Sequence, residues 1–403
     1  MGEKGLSALD GALIISGTSV GAGMLALPIA FQDIGLVLSC AVLLCLGAFN
    51  LVSFLLIVEL MARADQPLHL PRLIERYVGP KASLLMSLAI SISVYGALTA
   101  YLLLGAGAIN SLTGIPAVIG MLAYFIVASV IVWYGIWWLR NAERVMFTFA
   151  IALIGVLLFA ALPNVGPAPG IVSLATLPAA FGVAFFAYSA HQLIPSVGNR
   201  MGRKYGEFAK AVAFGLIVPV VIYTVWTLIL VWAIPLPLLA EARANGDAVI
   251  APLAKLSHWS ETLVGGTFNP ILVIGSVYVL FATITSFIGL GFCLADALQD
   301  AYREWWHTPL KRSTAVVAVV VPGLAFALYD PRALLRVLEV TGAYSVCTIV
   351  ALICIAYLNA RKVRTKKVPG FVVPFGAPLA VICLLVALAA IVIETLSLVS
   401  ALA

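Results

Sequence analysis

Charge is what this sequence has least of. Asp, Glu, Lys and Arg make up 10% of its 403 residues, against about 25% in soluble globular chains. With 63% hydrophobic residues beside so little charge, a soluble fold is excluded, because it could not cover that much apolar surface. Histidine is also scarce, and His69, His191, His258 and His307 are isolated from one another. The chain has no H-E-x-x-H for a metal and no G-x-x-x-x-G-K-[ST] loop for nucleotide phosphates. These absences argue against a membrane enzyme and against a nucleotide-driven pump. The six cysteines (Cys40, Cys45, Cys293, Cys347, Cys354, Cys383) fall in apolar stretches with no C-x-x-C pair. They read as small packing residues, and neither a disulfide framework nor a cofactor is expected. No cleavable signal peptide is evident, since the first hydrophobic run is long and lacks a small-residue cleavage site.

What is abundant is apolar length. About 20 apolar residues span a bilayer as a helix. Eleven such stretches follow one another, at roughly 8–33, 35–62, 82–112, 117–139, 142–162, 174–198, 208–234, 268–300, 313–329, 333–358 and 375–402. The expectation is an all-α integral membrane protein in one transmembrane domain. With the N-terminus inside, 19 of the 23 Lys and Arg lie on the cytoplasmic side, leaving Arg243, Lys255, Arg332 and Arg336 outside. That bias predicts a cytoplasmic N-terminus and, with eleven spans, an external C-terminus. The net charge of +6 is therefore an orientation signal, and no nucleic-acid partner is implied. The basic run at 360–370 reads as an orientation anchor, with specific lipid binding as the alternative. The outer connection 235–267 is too long for a simple link and reads as a lid or binding loop.

Two stretches break the apolar pattern. "GTSVGAGMLALP" (17–28) places Gly17, Gly21 and Gly23, two hydroxyls and Pro28 within a span. "GVAFFAYSAHQLIP" (182–195) places Ala187, Ser189, Ala190, His191 and Gln192 within another and also ends in proline. Unwound backbone is tolerated in a bilayer where it lines a cavity or is buried in protein. A break exposes N–H groups that favour anions and carbonyls that favour cations, which suits an amino acid zwitterion. The breaks lie five spans apart, so the second five-helix unit enters from the opposite side. Paired Gly/Pro-interrupted segments in two inverted halves point to a transporter's binding site. The glycines also fit small-residue helix packing, and a channel is the competing class. A channel would show a filter or charged ring about one axis, whereas two inverted breaks suit alternating access.

The residues also carry a family likeness. "GTSVGAGMLALPIA", "GALTAYLLLGAG" (96–107), "HQLIPS" (191–196), "ATITSFIGLGFCLADALQD" (282–300) and "LYDPRALL" (328–335) occur in order along almost the whole chain. Together they resemble the bacterial hydroxy and aromatic amino acid permeases, which include tyrosine- and tryptophan-specific members. The resemblance implies the leucine-transporter fold of 5+5 inverted helices, with repeats at about 8–162 and 174–358 and an extra helix at about 375–402. It implies cation-coupled import of aromatic or large neutral amino acids across a bacterial inner membrane, with a general neutral amino acid transporter of the same fold as the alternative. In transporters of that fold the substrate carboxylate is held by backbone N–H groups, here Gly21, Ala22 and Gly23. The ammonium is held by carbonyls near Gly17, Ser19 and Phe185, and the side-chain pocket by Tyr95, Thr99, Phe186, Ala187 and Tyr188. Na⁺ as coupling ion is implied at Gly17, Val20, Ala282, Thr285 and Ser286. Mid-helix hydroxyls such as Thr285 and Ser286 also bond back to their own helix, which is the alternative. One departure bears on coupling. The tyrosine permeases tend to carry a lysine on the fifth helix, whereas this chain has no ionisable residue between Arg144 and Pro163. The expectation therefore leans to Na⁺ over H⁺.

Ionisable groups inside a bilayer cost about 2.5–3.5 kcal/mol on insertion scales, so each needs a reason. His191 reads as a substrate contact, a proton site, or a neutral ring satisfied at the break. Glu59 reads first as a helix-turn pair with Arg63 and second as a brace for the broken helices. Asp296, Asp300 and Arg303 read as an inner charge cluster. Glu394 is expected at the outer headgroups.

Overall fold

The computed structural model describes residues 6–134, 139–166, 170, 173–202, 204–256, 269–363 and 369–402. His258, the end of the outer connection (257–267) and the basic positions 364–368 lie outside the described residues. Among those described, all regular structure is helical. The helices are α1 (Ala8–Ser19), α2 (Ala22–Phe31), α3 (Leu36–Ala64), α4 (Leu70–Tyr77), α5 (Pro80–Thr113), α6 (Ala117–Tyr134) and α7 (Leu139–Ala161). Then follow α8 (Leu177–Ala187), α9 (Leu193–Met201), α10 (Tyr205–Ala233), α11 (Leu236–Asn245) and α12 (Ile250–Leu256). Last come α13 (Pro270–Trp306), α14 (Arg312–Tyr329), α15 (Leu334–Val340), a π-helical stretch (Thr341–Val346), α16 (Cys347–Lys362) and α17 (Gly376–Leu402).

Local chemistry sets the ends. Ser7 and Asp10 form a reciprocal capping box at the start of α1, with Ser7 Oγ accepting from the Asp10 N–H at 3.2 Å. Asn269 caps α13 by accepting from the Leu272 N–H at 3.1 Å, followed by Pro270 at the first helical position. Gly114 ends α5 in the left-handed region at φ 71°, where a side chain would be strained.

Among the described residues, eight helices are long and apolar enough to cross a membrane: α3, α5, α6, α10, α13, α14, the run 334–362 and α17. Helices α1 and α2, bent by 52° at their break, together make a ninth candidate. The expected span at 142–162 falls on α7, whose apolar part with the turn that follows is Thr148–Asn164, and the one at 174–198 is divided into α8 and α9 at 188–192.

Burial separates interior from periphery. The run 334–362 is 78% buried over its most apolar window, and α17 only 22%. Exposed apolar residues of α17, such as Ile382, Leu385, Ile393 and Leu396, form a surface suited to lipid tails. In the interior, α1 packs on α10, α10 on α3, and α13 along α5, while α8 lies between α2 and the π-helical stretch. That last contact is backbone on backbone. A Cβ on Gly182 would meet the Glu339 carbonyl oxygen at 2.5 Å, and one on Gly342 would overlap the Gly182 carbonyl oxygen.

Charged side chains tie helices together at two places. Glu59 is fully buried and pairs with Arg63 at 2.6 Å one turn on. Its other oxygen accepts from Tyr357 Oη at 2.8 Å and from the Val373 N–H at 2.7 Å. The helix-turn pair is present, and what Glu59 braces is α16 and the lead-in to α17, not the broken helices. Asp296 pairs with Arg312 at 2.5 Å, linking α13 to α14. Glu394 corrects the expectation of a headgroup-facing position. It is 1% exposed, beside Glu339, because α17 turns that side toward α8 and the π-helical stretch.

The described part of the 235–267 connection folds as α11 and α12 and docks on α2. Arg243 pairs with Asp33 at 2.9 Å, and the Val249 N–H donates to the Leu25 carbonyl at 3.4 Å.

Candidate functional site

The first break falls at Val20 and Gly21. Val20 (φ −75°, ψ 75°) closes α1, and Gly21 (φ −129°, ψ −146°) caps α2 without a side-chain acceptor. The Gly21 N–H turns back to the Ser19 carbonyl at 2.8 Å. Beyond it the first turn of α2 presents the N–H groups of Ala22 and Gly23, which a helix start leaves without intrahelical partners. The second break runs from Tyr188 to Gln192, between α8 and α9. Its entry is closed by the Tyr188 N–H bonding to Ala184 at 3.1 Å and the Ser189 N–H to Phe186 at 2.9 Å.

The two breaks touch. A Cβ added to Gly23 would lie 2.6 Å from Ala187 Cα, closer than real Cβ contacts allow. Glycine at 23 is thus what lets α2 reach the end of α8. Gly21 is less confined, with Ser286 Oγ nearest at 3.1 Å.

Around this contact lies a cavity of about 20 Å³ lined by Thr18, Ser19, Gly21, Gly23, Ser93, Ala97, Tyr101, Phe186, Ala187, Ser189, Gln192 and Leu290. A water needs about 10–15 Å³ by this measure, so there is room for a water or two and not for an amino acid. Admitting a larger guest requires the two breaks to part.

Of the residues marked in the sequence, Ser19, Gly21, Gly23, Phe186 and Ala187 line this cavity together. Others face elsewhere. Tyr95 Oη donates to the Ala318 carbonyl at 3.2 Å, and Thr99 Oγ1 bonds to the Tyr95 and Gly323 carbonyls at 2.9 and 3.3 Å, so both turn toward α14. The cavity face of α5 carries Ser93, Ala97 and Tyr101 instead, a strict i, i+4, i+8 stripe. Phe185 packs edge-on against Phe49 at 5.3 Å, and Tyr188 Oη donates to the Leu43 carbonyl at 3.1 Å, both toward α3. Gly17 lies in the last turn of α1, and the Ala22 side chain is outside the described residues.

His191 also faces α3. Its Nε2 lies 2.9 Å from Ser53 Oγ, and its ring meets Phe54 edge-on at 4.7 Å. Ser53 Oγ also lies 2.9 Å from the Asn50 carbonyl, so the hydroxyl joins the ring to the α3 backbone. Nδ1 is buried without a partner among the described residues. The neighbouring Gln192 and Ser189, not His191, reach the cavity.

At the expected cation site, Thr285 Oγ1 donates to the Phe281 and Ala282 carbonyls at 2.9 and 3.2 Å. Ser286 Oγ is buried beside Gly21, with the Tyr101 hydroxyl as its neighbour, and its oxygen keeps lone pairs to offer. A hydroxyl that donates to a carbonyl still has lone pairs to offer, so Thr285 remains able to face a cation too. These oxygens fit a hard cation such as Na⁺.

Sequence reasoning missed Tyr223 of α10, a single tyrosine in an apolar run with no pattern to mark it. It is fully buried, packs against Tyr188 with the rings tilted by 51° and their centroids 5.0 Å apart, and its hydroxyl donates to the Ser19 carbonyl and, at 3.0 Å, to the Ala187 carbonyl. One side chain therefore touches the C-terminal ends of both interrupted half-helices.

Comparison with known proteins meets this geometry from another side. The sequence model of the tryptophan/tyrosine permease family matches residues 4–394. The tyrosine-specific transport system 2 of Haemophilus influenzae is 27% identical over 350 residues, covering 82% of each chain. The tryptophan-specific transport protein of Pseudomonas aeruginosa is 26% identical, over 80% of this chain and 79% of the relative. Glutamine transporter 2 of Aliivibrio fischeri is 24% identical, over 89% of this chain and 90% of the relative. The match runs unbroken from ahead of α1 into α17, through both interrupted segments, and the chain belongs to the tryptophan/tyrosine permease family.

Proposed function

We propose that this chain imports aromatic or large neutral L-amino acids across a bacterial inner membrane as a cation-coupled secondary transporter with alternating access. The observation that carries this is the meeting of two broken helices at Gly23 and Ala187 around a central cavity. The relatives named for tyrosine and tryptophan transport support the substrate class. The carboxylate binds the N–H groups at the start of α2, where the helix dipole favours negative charge. The ammonium binds the carbonyls that end α1 and α8. The architecture is 5+5 inverted repeats with an eleventh helix, α7 and the α8–α9 pair supplying the remaining crossings. The N-terminus is cytoplasmic and the C-terminus external.

The lining favours a second reading of the substrate. Thr18, Ser93, Tyr101, Ser189 and Gln192 make the cavity wall polar, which suits a side chain with a hydrogen-bond donor, and one relative is named for glutamine. Uptake into proteoliposomes of labelled Tyr, Trp, Phe, Leu and Gln, under separate Na⁺ and H⁺ gradients, tests the function. Saturable uptake with Tyr or Trp ahead of Leu is the expected result. Steady conductance without saturation would instead mark a channel.

The coupling ion is Na⁺, held by carbonyls of Gly17, Val20 and Ala282 and the hydroxyls of Thr285 and Ser286. What supports this is the buried Ser286 Oγ beside Gly21, where α1 ends. Na⁺ is then expected to tighten amino acid binding, and amino acid to tighten Na⁺ binding by the same factor. Ser286→Ala with Thr285→Ala should erase that coupling. Binding that ignores Na⁺ at fixed ionic strength, with uptake driven by a proton gradient alone, overturns the sodium assignment.

For orientation, a cysteine replacing Ala248, between α11 and α12, should react with an impermeant maleimide added outside intact cells. Labelling only after the cells are opened would reverse the topology.

A further inference from the structure

Every carbonyl at the end of a half-helix inside a membrane must find a donor or remain an expensive orphan. The Ser19 carbonyl ends α1, and the Ala187 carbonyl ends α8. Both carry the partial negative charge of a helix C-terminus, and the two ends are brought together. The Ser19 carbonyl accepts the Gly21 N–H at 2.8 Å and the Tyr223 hydroxyl, which fills both of its lone pairs. The Ala187 carbonyl accepts from the same hydroxyl at 3.0 Å. Tyr223 comes from a third element, α10, and its ring is fixed by the Tyr188 ring.

We propose that Tyr223 is a positioning residue whose hydroxyl substitutes for the substrate's ammonium at the two break carbonyls, allowing the carrier to close and return without an amino acid. The inference rests on the transport reading above. When an amino acid binds, its ammonium supplies up to three donors and a positive charge to these carbonyls, displacing the phenol. On the return step no ammonium is present, and closure would bury the Ala187 carbonyl undonated and leave the Ser19 carbonyl with the Gly21 N–H alone. The phenol proton, shared between them, removes that penalty. It is neutral, so it satisfies the carbonyls more weakly than an ammonium does and yields to the substrate.

This role separates two transport modes. Net uptake requires the unloaded carrier to return, whereas exchange of internal for external amino acid moves loaded carrier in both directions. In Tyr223→Phe, proteoliposomes preloaded with whichever of Tyr, Trp, Phe, Leu or Gln the parent carries fastest should exchange within about twofold of parent. Net uptake into vesicles without internal amino acid should fall about tenfold or more, the scale set by one unsatisfied buried carbonyl. Replacing Tyr223 with p-aminophenylalanine keeps the ring and an N–H donor and should restore net uptake. Tyr188→Phe removes the phenol that serves Leu43 instead and should change both modes by one common factor. A Tyr223→Phe carrier that loses both modes equally, or keeps both, overturns the proposal. If Tyr223→Phe does not fold, the p-aminophenylalanine variant decides alone, and a net-to-exchange ratio below the parent's overturns it. A parent that neither takes up nor exchanges any of the five amino acids overturns the transport reading itself, and this inference with it.

Discussion

Gly23→Ala should abolish amino acid binding, while Gly21→Ala, two residues away, should retain it. The contrast comes from what each new methyl would meet. At Gly23 it would lie 2.6 Å from Ala187 Cα and 2.7 Å from Ala187 Cβ. The first of these is backbone and cannot rotate aside, so α2 and α8 must separate. At Gly21 the nearest atom is the Ser286 hydroxyl at 3.1 Å, which can turn away, and the backbone there is not in a left-handed conformation. Overpacking a tight contact typically costs about 1–3 kcal/mol in stability. The functional loss should exceed that cost, because a misplacement of about 1 Å at a reacting or binding geometry loses about a hundredfold. Equilibrium binding of labelled substrate to purified protein, beside its melting curve, checks both parts. Gly23→Ala should fold and fail to bind, and Gly21→Ala should bind within a few-fold of parent. Equal binding by the two would mean that the contact between the breaks is not part of the substrate site.

How far these features could be read from the sequence depended on whether they leave a periodic or compositional trace. The breaks do. Hydroxyls, glycines and His191-Gln192 interrupt otherwise apolar runs, and the structure unwinds the chain at Val20–Gly21 and again from Tyr188 to Gln192. The rotation of α5 left no such trace. Tyr95 and Thr99 look like pocket residues, but Ser93, Ala97 and Tyr101 face the cavity. Two positions along a helix turn the side chain by about 200°. A membrane helix with hydroxyls on several sides has no apolar stripe to set its phase. Tyr223 and the second partner of Glu59 were invisible for a different reason. The hydroxyl of Tyr223 reaches Ser19 over 204 positions, and Tyr357 reaches Glu59 over 298. No local pattern encodes such separations. The Glu59–Arg63 pair, four residues apart, was legible for the opposite reason.

That pair leads to the largest stability change expected in the molecule. Glu59→Leu should destabilise the protein by about 3–5 kcal/mol, the usual result of removing one partner from a buried ion pair. The carboxylate is fully buried, and Arg63 beside it is 10% exposed, so water can replace little of what is lost. Three groups donate four hydrogen bonds to Glu59. Arg63 reaches one oxygen through Nε and a terminal guanidinium nitrogen at 2.8 and 2.6 Å, while Tyr357 and the Val373 N–H share the other. Arg361 in turn donates to Tyr357 Oη at 3.1 Å. Leucine at 59 would strand a guanidinium, a phenol and a backbone N–H at once. It would also untie α3 from α16 and from the segment leading into α17. Glu59→Gln should fall between leucine and parent, since its amide oxygen can still accept from one or two of these donors. The exposed pair Arg72–Glu75, with side chains 45% and 37% accessible, is the control. Glu75→Gln should shift stability by no more than about 1 kcal/mol, as solvent-exposed pairs do. The midpoint of thermal unfolding in detergent ranks the variants, with parent and Glu75→Gln together, Glu59→Gln lower and Glu59→Leu lowest. Should Glu59→Leu melt with the parent, the network is not what holds α3, α16 and the α17 lead-in together, and the apolar packing around it is sufficient.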